Sequence, residues 1–162
     1  MTRPRPRPAT SRSRATTVAG WSLVATGALH ASLVAAGAIA QPPPGERAVR
    51  ASMRAATTSV AGLERSFWQL FNGFSLAMAL LLVGFGALNL LVVRHAPHLL
   101  HRTRALLWLD ACVVLPLLVV SLLLFPPPPV LLLGLAAAAV GTALCRPDDR
   151  SAALPPASPA GP

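Results

Sequence analysis

Apolar residues come along this chain in long unbroken runs, without the alternation of a half-solvated strand or the one-in-three rhythm of a surface helix. Four runs stand out, at 18–40, 67–93, 103–125 and 130–145. The first holds 23 residues without a formal charge and the second 27. As helix these measure about 34 Å and 40 Å, enough to cross a hydrocarbon layer about 30 Å thick, and the second is long enough to require tilt. The third is apolar except for Arg104 at its mouth and Asp110 inside it. The fourth, at 16 residues, is short, about 24 Å. The prolines before it can supply a first turn, because proline is tolerated where a helix starts; a re-entrant segment fits its length as well. Buried helices of a water-soluble core would need polar helices around them, and the chain has almost none outside its ends. The pattern predicts an all-α fold, a transmembrane four-helix bundle over 18–145 with disordered termini.

Between and beyond the runs the character changes. Residues 1–17 alternate Arg and Pro and then turn to Ser, Thr and Arg, without a strong hydrophobe. Each proline removes a donor and biases its predecessor away from helix, so this segment reads as a disordered basic tail. Residues 146–162, rich in Pro, Ala and Ser, read as a second disordered tail. After the Pro-Gly break at Pro44 and Gly45, residues 46–66 suggest a short helix on the membrane surface, with a weak apolar face of Val49, Met53, Val60 and Leu63.

Composition sharpens the reading. Of 162 residues 54% are hydrophobic and only 12% charged, about half the usual charged share of a globular protein. All fourteen basic residues are arginine, against five acids, for a net charge of +9. Such a balance raises nucleic acid as a partner. A 17-residue tail without an aromatic platform offers only salt-dependent phosphate contact, however, and anionic lipid headgroups serve the same charges. With four spans, ten arginines fall on one side (Arg3, Arg5, Arg7, Arg12, Arg14, Arg94, Arg102, Arg104, Arg146, Arg150) and four on the other (Arg47, Arg50, Arg54, Arg65). The positive-inside bias then predicts a multi-pass protein of the cytoplasmic membrane with both termini in the cytoplasm. A competing reading is a cleaved signal peptide, since Ala38-Ile39-Ala40 before Gln41 has the small-x-small form. Against cleavage, the apolar run is longer than such leaders carry, and it holds His30 and a Gly/Ala face suited to packing.

No motif announces an enzyme: there is no Gly-rich phosphate loop, no Cys pair at metal spacing and no nucleophile elbow. No cofactor is implied. Cys112 and Cys145 lie at different depths and read as small core residues. His95, His98 and His101 form HAPHLLH, but Pro97 interrupts the helix that would align them and no acid or Cys stands nearby, so headgroup contact is the expectation over a metal.

The candidate chemistry is the set of polar residues inside the spans: His30, Gln69, Asn72, Asn89 and Asp110. A carboxylate in hydrocarbon costs at least about 2.5 kcal/mol, so Asp110 is expected to face the bundle interior. It lies about 10 Å from the cytoplasmic end of its run and Asn89 about 6 Å from the same side. The Asn89 amide is therefore a hydrogen-bond partner within reach, and Arg104 a candidate ion-pair partner. The bland function of this group is an interhelical staple; the sharper one is a proton or ligand site. His30 lies near mid-membrane beside Gly20, Gly27, Ala31, Val34 and Ala38, small residues that let another helix approach and that suit homo- or hetero-oligomers as well. Its bland role is a neutral hydrogen bond between helices.

The stretch Arg65 to Leu91, RSFWQLFNGFSLAMALLLVGFGALNLL, is the most distinctive. Phe67 and Trp68 form an aromatic anchor at the outer interface, Gln69, Asn72 and Ser75 follow one to two turns in, and Gly73 with Ala77 gives a small-x-x-x-small pair. This arrangement resembles small bacterial four-helix integral membrane proteins of uncharacterised role. In those, an aromatic-Trp pair leads from a poorly hydrophobic outer loop into a Gly-Phe step on the second helix. There a polar, often acidic, residue tends to follow the Trp; Gln69 in that place argues against a proton-linked role. The likeness to DoxX-type four-helix proteins is one of shape alone, and shape does not fix function. The leading expectation is a non-enzymatic membrane protein with a structural or accessory role. The alternative is a membrane-embedded small-molecule binder or transporter component, with the five polar residues lining one cavity between helices.

Overall fold

The structure, a computed structural model, describes residues 11–102 and 104–145. Of the tails expected at 1–17 and 146–162, residues 1–10 and 146–162 lie outside the described residues. In chain order the elements are α1 (Ser11–Ile39), α2 (Pro44–Ala55), β1 (Thr57–Val60), β2 (Leu63–Ser66), α3 (Phe67–His95), α4 (Pro97–Arg102), α5 (Ala105–Leu124) and α6 (Pro127–Cys145). Four of these, α1, α3, α5 and α6, are long and apolar enough to cross a membrane. The all-α, four-helix expectation is met, with a two-stranded hairpin added in the connection between α1 and α3.

Two boundaries move for physical reasons. Residues 11–17, expected in the basic tail, are already helix in α1, because Ser, Arg, Ala and Thr there carry no barrier to helix. Its first turns are held down: Ala15 is buried against Leu107 and Ala143, and Arg12 Nη1 donates to Leu100 O at 3.5 Å. Helix α6 starts at Pro127, so three prolines form its first turn and bring it to 19 residues, about 28 Å. The surface helix expected over 46–66 occupies only Pro44–Ala55. Val60 and Leu63 pair across a hairpin whose two-residue turn places Ala61 at φ 52 and Gly62 at φ 80, the left-handed conformation that tight hairpins require.

The long helices run antiparallel in succession. Helix α1 packs closely on α3 and α6, and α5 on α6. The α1/α3 crossing is closest at glycine. A Cβ on Gly86 would come within 2.6 Å of Gly20 O, and one on Gly27 within 2.6 Å of Ala79 O. Gly20 and Gly27 therefore do admit a neighbouring helix, as their spacing predicts. On the α3 side the close approach is made by Ala79 and Gly86, not by Gly73 and Ala77; a Cβ on Gly73 would meet nothing within 4 Å. Gly73 lies beside small residues of α1 as well, Ala31 and Ala35, but there the two helices are separated by a groove. The core is aliphatic, with Leu23, Val114, Leu133 and Val140 at its centre. Outward the helices present Phe74, Leu81, Leu122, Leu123, Leu131 and similar residues, a surface that matches hydrocarbon rather than water. Cys112 and Cys145 belong to that exposed surface and not to the core, because the inward stripe of α5 runs through Leu107, Asp110, Ala111, Val114 and Ser121.

Candidate functional site: polar groups inside the bundle

Helices α3 and α5 are joined by the short α4, so residues equally far from that turn face one another. Asn89, six positions before the end of α3, and Asp110, five positions after the start of α5, come together in this way. Asn89 Nδ2 donates to Asp110 Oδ1 at 2.7 Å, and both residues are fully buried. This is the hydrogen bond that their depths predict. It is also the main polar link across a seam where the two helices otherwise meet sparsely. The ion pair with Arg104 does not form. Arg104 Nη1 instead donates to Leu144 O at 3.4 Å, where a cation suits the carbonyl end of α6. Asn89 Oδ1 and Asp110 Oδ2 have no hydrogen-bond partner among the described residues, and neither does the buried Thr16 Oγ1. The Gly20/Gly86 crossing sets Thr16 one turn down α1, at about the depth of Asn89.

Gln69 and Asn72 sit at the other end of the bundle and serve the start of α3. Ser66 accepts from Gln69 N at 3.2 Å and Gln69 Oε1 accepts from Ser66 N at 3.0 Å, a reciprocal capping box. Asn72 Nδ2 donates to Trp68 O, one turn back, at 2.8 Å. Both line a shallow groove between α1 and α3 with Ala31, Ala35, Trp68 and Gly73. The Gln69 side chain is thus committed to the helix end, a task its place three residues after Ser66 announces.

The connection between α1 and α3 folds down over this end. Arg50 is its pivot: Nη1 donates to Gly37 O at 2.7 Å, near the end of α1, and Nη2 pairs with Glu46 at 3.0 Å. The Arg50 and Arg54 guanidiniums lie 5.1 Å and 5.3 Å from the centre of the Trp68 ring, which also stacks with Phe71. The sequence marks Trp68 as an interfacial anchor; its service as a seat for two arginines was not visible there.

His30 faces elsewhere. It lines a cleft bounded by all four long helices, with Thr26 and Leu33 of α1, Met78 and Leu82 of α3, Leu117 and Ser121 of α5, and Leu133 of α6. Phe125 and Pro129 flank it at the end where α5 turns into α6. The cleft holds only about 70 Å³ of open space, below the roughly 300–1,000 Å³ of drug-sized sites, and its walls are almost wholly apolar. His30 Nε2 is buried there without a hydrogen-bond partner. The interhelical hydrogen bond expected of this imidazole is not made at that atom. Sequence reasoning missed Thr26 and Ser121 as neighbours of His30. Thr26 stands one turn before it, and Ser121 is a lone hydroxyl in an apolar run, and those were the available signals.

The five candidate residues therefore do not line one cavity. Asn89 and Asp110 form one pair, Gln69 and Asn72 flank a second place, and His30 lines a third. The separation follows from helical phase and depth: Gln69 and Asn72 are near one end of α3, Asn89 near the other, and His30 is turned towards α5 and α6. Among the described residues no group of three or more His, Cys, Asp or Glu stands close enough to hold a metal; the side chains of His98 and His101 lie outside the described residues. No family model, curated protein or solved structure matches this chain.

Proposed function

We propose that the chain is a non-enzymatic, multi-pass protein of the cytoplasmic membrane with a structural or accessory role. The observation that carries this reading is how the intramembrane polar groups are used. Asn89 and Asp110 bridge two helices, Gln69 caps one, and Asn72 bonds within its own helix. None of these meets a nucleophile, an acid–base pair or a metal cluster among the described residues. The arginine asymmetry supports cytoplasmic termini. Arg50 and Arg54, two of the four outer arginines, are engaged by Gly37, Glu46 and Trp68, so they act as fold contacts more than as free positive charge. The kinship with small four-helix membrane proteins rests on the Arg65–Leu91 stretch and adds no activity. Purification in mild detergent followed by intact mass with bound species retained tests the reading. The expected result is the uncleaved chain without haem, flavin or metal in stoichiometric amount. A stoichiometric redox group, or a chain beginning at Gln41, contradicts it.

A further inference from the structure

The geometry points to a proton-binding site in the bundle: Asp110 is the neutral carboxylic acid, and its Oδ2–H donates to Asn89 Oδ1, closing a two-bond acid–amide ring between α3 and α5. The inference rests on the reading of this pair as a bridge between helices, and deepens it.

The unpartnered atoms carry the argument. Asn89 Nδ2 donates to Asp110 Oδ1 at 2.7 Å, and the second oxygen of each group, Asn89 Oδ1 and Asp110 Oδ2, is buried without a partner. With the carboxyl ionised, both of these atoms are acceptors only. The hydrogen at hand to serve them is that of the Thr16 hydroxyl, fully buried at about the same depth. Thr17 and Thr26 each donate to the carbonyl one turn back, at 2.8 Å, and Thr16 Oγ1 does not. One donor cannot satisfy two buried acceptors, and an acceptor left over is costly. A proton on Oδ2 turns one acceptor into a donor for the other. The final torsions of Asp and Asn are broad, so the two oxygens can turn to face each other. The second lone pair of a ring oxygen then remains for the Thr16 hydroxyl.

The charge balance agrees. A carboxylate in hydrocarbon is matched by a cation or gives up its charge. The hydrogen-bond partner that Asp110 has is the neutral Asn89. Among the described titratable groups of the surrounding helices, Arg12 and Arg104 donate to Leu100 O and Leu144 O. Arg14, Arg94, His95, Cys112 and Cys145 are exposed. A bound water would donate to both orphaned oxygens but leave the charge in place; a proton removes it. The bridge then depends on that proton. Its loss sets two lone-pair oxygens against each other across a seam where α3 and α5 otherwise meet sparsely.

The test is infrared spectroscopy of the full chain in lipid nanodiscs, with aspartate ¹³C-labelled at the side-chain carboxyl. Asp110→Asn keeps Asp148 and Asp149 and so assigns the band of Asp110. At neutral pH the unmodified chain should show the carbonyl band of a protonated carboxyl, and Asp110→Asn should lack it. Asn89→Leu should shift that band to higher frequency, because both ring bonds are gone. Raising the pH until the band disappears should increase the unfolded-to-folded ratio of the unmodified chain about tenfold more than that of Asp110→Asn, whose amide pair makes the same two bonds without a proton to lose. If the unmodified chain lacks the band, the protonated acid is wrong while the bridge stands. If Asn89→Leu leaves the band unshifted, ring and bridge fall together. Equal pH responses of the unmodified chain and Asp110→Asn would overturn the dependence of the bridge on the proton. Should Asp110→Asn fail to fold, the shift in Asn89→Leu still decides, because only a carboxyl bonded to Asn89 moves.

Discussion

Gly86→Ala is the smallest change that probes how the bundle is held. The added Cβ would lie 2.6 Å from Gly20 O and 2.9 Å from Val24 N, both backbone atoms that no rotamer change can move. Restoring an ordinary contact of 3.4 Å means moving α1 and α3 apart by roughly 0.8 Å at the crossing. A gap of that size forfeits about a quarter to a half of each dispersion contact along the seam, and overpacked sites cost about 1–3 kcal/mol. Glycine to alanine in a helix otherwise gains about 1 kcal/mol, so the sign of the effect separates steric conflict from propensity. Gly134→Ala and Gly141→Ala supply the reference, because a Cβ at either position meets nothing within 4 Å. Unfolding in mixed detergent micelles, followed by helicity and tryptophan emission, should show Gly86→Ala destabilised by about 1–3 kcal/mol and the two references unchanged or stabilised. A Gly86→Ala protein as stable as Gly134→Ala would refute the crossing described here.

The other predictions concern the polar contacts. Asp110→Leu should destabilise by about 1–3 kcal/mol by leaving the Asn89 amide buried and unpaired, and Asn89→Leu similarly. A double-mutant cycle should return a coupling of about 0.6–1.7 kcal/mol, and none at all would mean that the 2.7 Å bond does not hold the seam. Ser66→Ala removes the capping hydroxyl of α3 and should cost about 0.5–2 kcal/mol, with faster amide exchange confined to the first turn after Phe67. Arg50→Ala should free α2 at a cost of about 2 kcal/mol, read as increased mobility of a spin label at residue 53.

Much of this fold was legible because hydrocarbon imposes a simple rule: backbone polar groups must pair within each helix, so long apolar runs become helices. The Asn89–Asp110 pairing is legible in the sequence as well, since depth alone brings the two level across a short turn. What escaped was rotation about the helix axes. Runs that are apolar on every side give no stripe to say which face turns inward, and that is why Cys112 lies on the outer surface and Gly73 in a groove rather than at the close crossing. It is also why the five polar residues read as one cavity and proved to occupy three places. The Arg104 ion pair fails for a different reason: the carbonyl end of α6, at Leu144, takes the guanidinium, and helix ends of distant elements are invisible to local spacing.

The proposed topology has four crossings with residues near both ends of the chain in the cytoplasm. Single cysteines at Thr2, Thr58 and Ala160, in a chain with Cys112 and Cys145 replaced by Ala, test this in intact cells with a membrane-impermeant maleimide. The prediction is labelling at residue 58 from outside, and at residues 2 and 160 only after the membrane is opened. Labelling of either end from outside, or of the two ends from opposite sides, would contradict it.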